Sequence, residues 1–181
     1  MHAAGGKINI VSTPLTTLNA ARREDFAARL GGIFEHSPWV AEAAWQARPF
    51  AGVAALHAAM TAAMHAAPHA RQLALLRAHP ELAGKAMVSN TLTADSANEQ
   101  TRSGLTDCSS EEFAQLQALN AAYNKKFGWP FILAVKQLDR ATIIRTFAAR
   151  LEANAADEFA ACLANIAQIT RWRLDGHLGE P

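Results

Sequence analysis

The amino-acid sequence predicts an all-α protein, a single-domain bundle of about eight helices. Apolar residues recur at helical spacing along most of the chain; Phe26, Leu30, Ile33 and Phe34, for example, follow the i, i+4, i+7, i+8 pattern of an amphipathic helix. Prolines and glycines divide this sequence into segments of helix length. No repeat, low-complexity tract or linker interrupts it, so residues 1–181 are predicted to form one domain, with 1–13 as a flexible N-terminal extension.

Four predicted helices occupy the first half of the chain, and each is followed by a proline. They cover residues 26–34, 39–47, 53–64 and 73–78. Pro80 disfavours a helical conformation of the residue before it, so His79 is predicted to be extended at the end of the fourth helix. A histidine in this position can direct its ring into a cleft.

Capping signals organise the middle of the chain. Residues 81–92 are predicted to form a loop before a helix that begins at Thr93. Ser109 and Glu112 have the spacing of a capping box for the next helix, which ends near Phe127.

The last quarter of the chain contains a turn and two more helices. Gly128 and Pro130 are predicted to force the turn. The apolar run 132–135 that follows fits either a strand or a helix, and its periodicity does not decide between them. Asp139 is predicted to cap the next helix, and the last helix covers residues 155–177.

Composition excludes several classes of partner. The formal net charge of +1 supplies no field that would attract nucleic acid or an anionic membrane. No apolar run approaches the roughly 18 residues that span a bilayer, and the N-terminus lacks the apolar core of a signal peptide. Cys108 and Cys162 are too few for a disulfide framework or a zinc site. The sequence therefore predicts a cytoplasmic protein that binds neither nucleic acid nor membrane.

The polar residues most typical of a catalytic site lie within about twenty positions of one another. His79 precedes Pro80, while Ser96, Glu99 and Gln100 are spaced i, i+3, i+4 and therefore share one helix face. An imidazole that faces a carboxylate and a hydroxyl can perform acid–base chemistry. Each half also has a purely structural interpretation, because a histidine often ends a helix and Ser-x-x-Glu is a capping-box pattern.

Several motifs in the right order make the chain resemble the 2-oxo-4-hydroxy-4-carboxy-5-ureidoimidazoline (OHCU) decarboxylase family. The resemblance runs through Phe34-Glu35-His36-Ser37-Pro38-Trp39, Arg48-Pro49-Phe50, His79 to Gly84, Ser96 to Gln100, Gly104-Leu105, Asn120 to Ile132 and Arg173-Leu174. It implies cofactor-free and metal-free decarboxylation of OHCU to (S)-allantoin in urate breakdown, because the substrate carries its own electron sink. It also implies a homodimer.

The resemblance assigns roles to residues in three regions of the chain. His79 would be the acid–base residue and the proton donor, and Glu99 would accept a hydrogen bond from the substrate or from the histidine. Arg173, whose guanidinium can bind a carboxylate in a bidentate manner, would complete the catalytic set. The substrate-binding residues would be Pro80, Ser96, Ala97, Asn98, Glu99, Gln100, Phe131, Ile132, Leu133, Ala134 and Val135.

Two other functions remain open at this point. Lys85 or Lys136 would form a Schiff base in a decarboxylase of another small acid. In a non-catalytic helical binding module, the same motifs would instead serve capping and packing. That second alternative predicts no concave polar pocket around His79.

Overall fold

A computed structural model describes residues 14–84 and 91–179 of the chain. In these ranges the protein is all-α, with nine α-helices, two short 3₁₀ helices and no strand. The α-helices are α1 (Leu15–Ala20), α2 (Arg23–Leu30), α3 (Trp39–Ala44), α4 (Val53–Ala66), α5 (His69–Ala78), α6 (Ala94–Arg102), α7 (Ser110–Phe127), α8 (Arg140–Leu151) and α9 (Ala155–Leu178). The 3₁₀ helices are Trp45–Ala47 and Leu105–Asp107. The predicted all-α class is confirmed, and helix α1 is the one that the apolar periodicity did not predict.

Helix boundaries follow the local capping signals. The Ser109 hydroxyl accepts from the Glu112 N–H while the Glu112 carboxylate accepts from the Ser109 N–H, which is the predicted capping box. Asp139 caps α8 through the N–H of Thr142. Thr93 caps α6 as predicted.

The predicted helix 39–47 is α-helical only to Ala44 and 3₁₀ from Trp45 to Ala47, and two other predicted segments differ more. Helix α2 ends at Leu30, and the apolar residues Ile33 and Phe34 lie in the turns that follow it, where they are still buried. The run 132–135 is neither strand nor helix, so it has no regular hydrogen-bond ladder of its own. The predicted extension 1–13 lies outside the described residues.

The long helix α9 runs through the core and packs against α4, while α3 packs on both α2 and α4. Cys162, Ile166 and Leu174 on α9 are fully buried. A second group of contacts joins α7 to α8, where the Tyr123, Phe131 and Phe147 rings pack on one another. No helix in the described part of the chain is both long and apolar enough to cross a membrane.

Candidate active site

A cleft forms where the end of α5, the face of α6, the segment 131–135 and the middle of α9 meet. It encloses about 30 Å³ and is lined by His79, Pro80, Leu82, Ser96, Glu99, Gln100, Phe131, Ile132, Leu133, Val135, Ile169 and Arg173. Ten of these twelve residues are predicted site residues; Leu82 and Ile169 are the additions. Four separate stretches of the sequence therefore meet at one place.

His79 ends α5 in the extended conformation that Pro80 imposes, with φ −73° and ψ 138°. Its Nδ1 lies 3.1 Å from the carbonyl oxygen of Leu75, and a carbonyl can only accept, so Nδ1 carries the proton of the neutral ring. The other ring nitrogen, Nε2, is buried and has no partner among the described residues. It is therefore available as a hydrogen-bond acceptor and base.

Burial lowers the pKa of His79 to about 4. The hydrogen bond to the Leu75 carbonyl and the negative charge of Glu35 act in the opposite direction, but they do not offset the loss of water around the ring. Arg173 adds to the lowering through its positive charge. The imidazole is consequently neutral at physiological pH.

Arg173 projects from α9 into the site and is buried there, with 3% of its side chain exposed. Its Nε donates to one carboxylate oxygen of Glu99 at 2.8 Å, and its Nη2 donates to the other at 2.9 Å. This is the bidentate geometry of a guanidinium–carboxylate pair. The structure thus brings Arg173 and Glu99 together, as the sequence predicted, and Arg173 is not a surface residue near the helix end.

Glu99 does not orient the histidine, contrary to one of the two roles predicted for it. Its carboxylate pairs with Arg173, and the tautomer of His79 is set by the Leu75 carbonyl instead. The reason is geometric. The Leu75 carbonyl lies four residues before His79 at the end of the same helix, so it accepts the Nδ1 proton without any tertiary contact. A hydrogen bond from the substrate to the Glu99 carboxylate, the alternative role, remains a prediction.

Glu35 is a site residue that the sequence analysis did not assign. It lies in the turns after α2, is 2% exposed, and has its Oε1 at 2.8 Å from the Arg173 Nη2. Burial alone would raise the pKa of this carboxyl, but Arg173, the Ser96 hydroxyl and His79 together hold its pKa below the usual range. The available signal was an acidic residue directly after the apolar pair Ile33–Phe34 and two residues before the Ser37-Pro38 pair.

Ser96 and Gln100 are engaged with the protein rather than free for a ligand. The Ser96 hydroxyl donates to Glu35 and accepts from the Arg173 Nη2 at 3.2 Å. The Gln100 amide accepts from the N–H of Ala83 at 2.9 Å and donates to the carbonyl of Glu81 at 3.2 Å. Both line the cleft, but their side-chain hydrogen bonds mainly position other parts of it.

Amide side chains hold the turn that follows His79. Besides Gln100, Gln117 donates to the Ala83 carbonyl at 2.6 Å, and Asn120 donates to the Leu82 carbonyl at 2.9 Å. Ala83 adopts a positive φ of 50°, which a non-glycine residue keeps only when its surroundings hold it there. These bonds fix the wall of the cleft next to Pro80.

The segment 131–135 forms the opposite wall. Phe131, Ile132 and Val135 are buried. The Ile132 carbonyl accepts from the Arg150 guanidinium at 2.8 Å, and the Ala134 N–H donates to Asn165 at 2.9 Å. These two backbone groups of the predicted substrate-binding segment therefore already have protein partners.

Three predicted binding residues do not line the cleft, namely Ala97, Asn98 and Ala134. Asn98 is exposed and lines a second, wider pocket of about 370 Å³. Glu99 and Arg173 border both pockets, so their ion pair stands between the narrow cleft and the wider one. Lys136 also lines the outer pocket, 5.4 Å from the Trp172 ring, whereas Lys85 lies outside the described residues.

A neutral, buried imidazole and a buried guanidinium in one cleft are groups that are typical of an acid–base site for a small anion. Residues 19–175 match the family model described as OHCU decarboxylase. The chain belongs to the OHCU decarboxylase family.

Individual relatives are consistent with this family. The chain is 38% identical over 165 residues to mouse 2-oxo-4-hydroxy-4-carboxy-5-ureidoimidazoline decarboxylase, covering 91% of this chain and 93% of the relative. It is 39% identical over 157 residues to the Bacillus subtilis uric acid degradation bifunctional protein PucL, covering 87% of this chain but 31% of that protein. A crystal structure of (S)-allantoin synthase superposes with a TM-score of 0.72 at 27% identity, covering 92% of this chain and 54% of that one.

Proposed function

We propose that this protein decarboxylates OHCU to (S)-allantoin in urate breakdown, using His79 to move a proton on one face of the substrate. The observation that carries the proposal is the unpartnered Nε2 of His79 in a cleft that also contains Arg173. Family membership supports the reaction, and the geometry supports the assignment of the residues.

The electron pair left by decarboxylation has a place to go within OHCU itself. The carboxylate and a hydroxyl share one ring carbon, and the neighbouring carbon, which bears the ureido group, belongs to the ring C=N bond. When CO₂ leaves, its bonding pair forms a double bond between these two carbons, and the displaced C=N pair moves to the ring nitrogen, which takes one proton from the solvent. The product of this step is an enol, so neither a metal nor an organic cofactor is required.

His79 can convert this enol to allantoin without any net change of its own charge. The neutral Nε2 accepts the enol hydroxyl proton and returns it to the carbon that bears the ureido group. The hydroxyl becomes the ring carbonyl. Because a single imidazole at the end of α5 delivers the proton, it arrives on one face of the ring, and one enantiomer forms.

Arg173 and the apolar walls act on the carboxylate before it leaves. The guanidinium attracts and orients the anion, because its N–H fork matches a carboxylate. Phe131, Ile132 and Ile169 line the same cleft and keep water away from it. A carboxylate that loses its hydration on the way to uncharged CO₂ is destabilised relative to the transition state.

The test is the optical activity of the allantoin formed by the wild-type protein. OHCU is generated in the cuvette from urate by the two preceding enzymes of the pathway, and the protein is then added. We expect rapid appearance of one enantiomer, whereas spontaneous decay gives a racemate. A racemate formed at the spontaneous rate would overturn the proposed function.

The Schiff-base alternative has a separate test. Lys136 borders the outer pocket rather than the cleft around His79, and it lies over the Trp172 ring, so it is poorly placed for that cleft. Borohydride added during turnover would trap a covalent adduct on Lys85 or Lys136 if either formed a Schiff base. The binding-module alternative is disfavoured by the polar cleft itself.

A homodimer in the cytoplasm is also part of the proposal. The support for the dimer is the family resemblance, and the support for the location is the low cysteine content and the near-neutral charge. Light scattering on the purified protein would measure the mass, and a monomeric mass would contradict the dimer. Fluorescence microscopy of a tagged chain in its own cells would test the location.

A further inference from the structure

Two carboxylates contact the guanidinium of Arg173, and they differ in their access to solvent. Glu35 and Glu99 each have an oxygen 2.8 Å from a guanidinium nitrogen. The Glu35 side chain is 1% exposed, whereas the Glu99 side chain is 24% exposed. Glu35 is therefore buried in the core, whereas Glu99 is partly exposed in the pockets.

Glu35 is held in place from several sides. Its carboxylate accepts from the Ser96 hydroxyl and from the Thr93 hydroxyl at 3.2 Å. Its backbone has a positive φ of 46°, and its carbonyl accepts from the Ser37 N–H at 2.7 Å. A glutamate keeps this backbone conformation only where its surroundings impose it. These contacts together hold the Glu35 carboxylate against Arg173.

Glu99 occupies a position that a ligand carboxylate can take. It binds Arg173 through both oxygens, which is the arrangement that any planar carboxylate adopts with a guanidinium. It also stands between the narrow cleft and the wider outer pocket. An anion that enters from the outer pocket meets this pair first.

We infer that Glu35 is a positioning residue, the permanent counter-ion of Arg173, and that Glu99 is the exchangeable one, which yields its place on the guanidinium to the carboxylate of the substrate. The inference deepens the proposed function and rests on it. During the exchange, Arg173 stays in place because Glu35 and the Ile33 carbonyl, 3.3 Å from Nη1, still hold it.

Equilibrium binding of two stable probes tests this exchange. Allantoate carries a carboxylate, and (S)-allantoin has similar ureido and amide groups but no carboxylate. Calorimetry would measure both probes on the wild type, on Glu35→Gln and on Glu99→Gln, with Glu42→Gln as the control because Glu42 forms an exposed ion pair away from the site. Turnover of OHCU by the wild type is measured separately and reports on the proposed function alone.

The two variants are expected to act in opposite directions on allantoate. Glu35→Gln leaves Glu99 as the only counter-ion and should weaken allantoate binding at least about tenfold, as expected when one partner of a buried charge pair is lost. Glu99→Gln removes the carboxylate that competes with allantoate for Arg173. It should tighten allantoate binding by about two- to fivefold, which is the scale of a partly exposed ion pair. Neither should change (S)-allantoin binding comparably, and Glu42→Gln should match the wild type.

Each other outcome overturns the inference. If Glu35 had only a general structural role, Glu35→Gln would weaken the binding of both probes together. If only the loss of a negative charge mattered, both variants would bind allantoate more tightly than the wild type. Wild-type protein that binds allantoate no better than (S)-allantoin would show that no carboxylate takes the place of Glu99, even if OHCU turnover is normal. If Glu35→Gln does not fold, the sign of the change in Glu99→Gln still decides the question.

Discussion

The conformation and protonation state of His79 depend on two neighbours in the chain and on burial of the ring. Pro80 makes it extended, the Leu75 carbonyl fixes the proton on Nδ1, and burial among apolar residues keeps the ring uncharged. The unprotonated Nε2 is therefore a base in the cleft, and in the proposed mechanism the ring becomes an acid only after it has accepted a proton. This assignment refines the proton-donor role that the sequence predicted.

The pH dependence of kcat/KM should report the pKa of His79 in the free protein. The required form is the neutral ring, so activity is present above its pKa of about 4 and is lost as the pH falls through that value. We expect a flat profile through the neutral range, after subtraction of spontaneous decay. An acid limb centred near the ordinary histidine pKa of about 6.5 would contradict this assignment.

The same pKa shift predicts a pH dependence of stability. In the unfolded chain His79 binds a proton near pH 6.5, whereas in the folded protein it does so only near pH 4. The neutral His79 ring therefore leaves the free energy of unfolding undiminished above about pH 6.5. As the pH falls from there to about 4, the free energy of unfolding decreases by about 3 kcal/mol. Urea unfolding across this range should show a smaller loss for His79→Gln than for the wild type, and identical losses would contradict the shift.

Residues differ in how far their roles can be predicted from the sequence. The conformation of His79 is predictable because Pro80 acts on the adjacent residue. The importance of Glu35 is not, since it depends on Ser96 and Arg173, which only tertiary packing brings to it. Ser96 and Gln100 were predicted to bind the substrate, and their hydrogen bonds to the protein could not be predicted for the same reason. The partners of both side chains lie far away in the chain.

Among the structural elements, the non-helical segment 131–135 depends most on its surroundings. Helix α8 contributes Arg150, whose guanidinium binds the Ile132 carbonyl and the Glu158 carboxylate and lies over the Phe131 ring at 4.6 Å. Helix α9 contributes Asn165 to the Ala134 N–H. Side chains of α8 and α9 thus hold one wall of the cleft in place through hydrogen bonds.

Arg150→Ala should destabilise the protein and loosen this wall. The Arg150–Glu158 pair is buried, with 15% and 1% of the two side chains exposed, so the variant leaves an unpaired carboxylate in the core. We expect a loss of about 3–5 kcal/mol in the free energy of unfolding, and an increased KM wherever the variant remains folded. Urea unfolding and steady-state kinetics would measure the two effects.

Arg145→Ala is the matched control on the same helix. Arg145 is exposed and donates only to the Thr142 hydroxyl among the described contacts, so its removal should change stability by less than about 0.5 kcal/mol. Equal losses for the two arginine variants would contradict the role given to Arg150.

Helices with local capping signals were predicted well, because a cap acts within three or four residues. Ser109, Thr93 and Asp139 each begin a helix as expected. The run 132–135 could not be assigned, because its hydrogen-bond partners come from α8 and α9 rather than from its own neighbours. Helix α1 is short and has one buried residue, Leu18, too few to produce a periodic pattern.

At the scale of the whole molecule, the bundle assembles one site from four separated parts of the chain. Glu35 comes from the turns after α2, His79 from α5, Glu99 from α6 and Arg173 from α9. Only the family resemblance connected the last three before the fold was known. Glu35, His79 and Arg173 are buried while Glu99 is partly exposed, and the proposed mechanism depends on these side chains alone.

Exhaustive chelation should leave the activity unchanged. The substrate supplies the electron sink, and the proposed steps use only His79, Arg173 and the cleft walls. Protein dialysed against EDTA and then assayed in metal-free buffer should retain the untreated rate, provided that OHCU is prepared beforehand and the generating enzymes are removed. Activity that disappears and then returns with added metal would show that this mechanism is incomplete.

The central claim is that the cleft around His79 turns OHCU into (S)-allantoin, and circular dichroism of wild type beside His79→Gln tests it most directly. Both proteins receive the same freshly generated OHCU. The wild type should produce a growing signal of one enantiomer, and the variant should be slower by about 10²–10⁴-fold, so that spontaneous racemate dominates. A folded His79→Gln protein that forms one enantiomer at more than about half the wild-type rate would contradict the account.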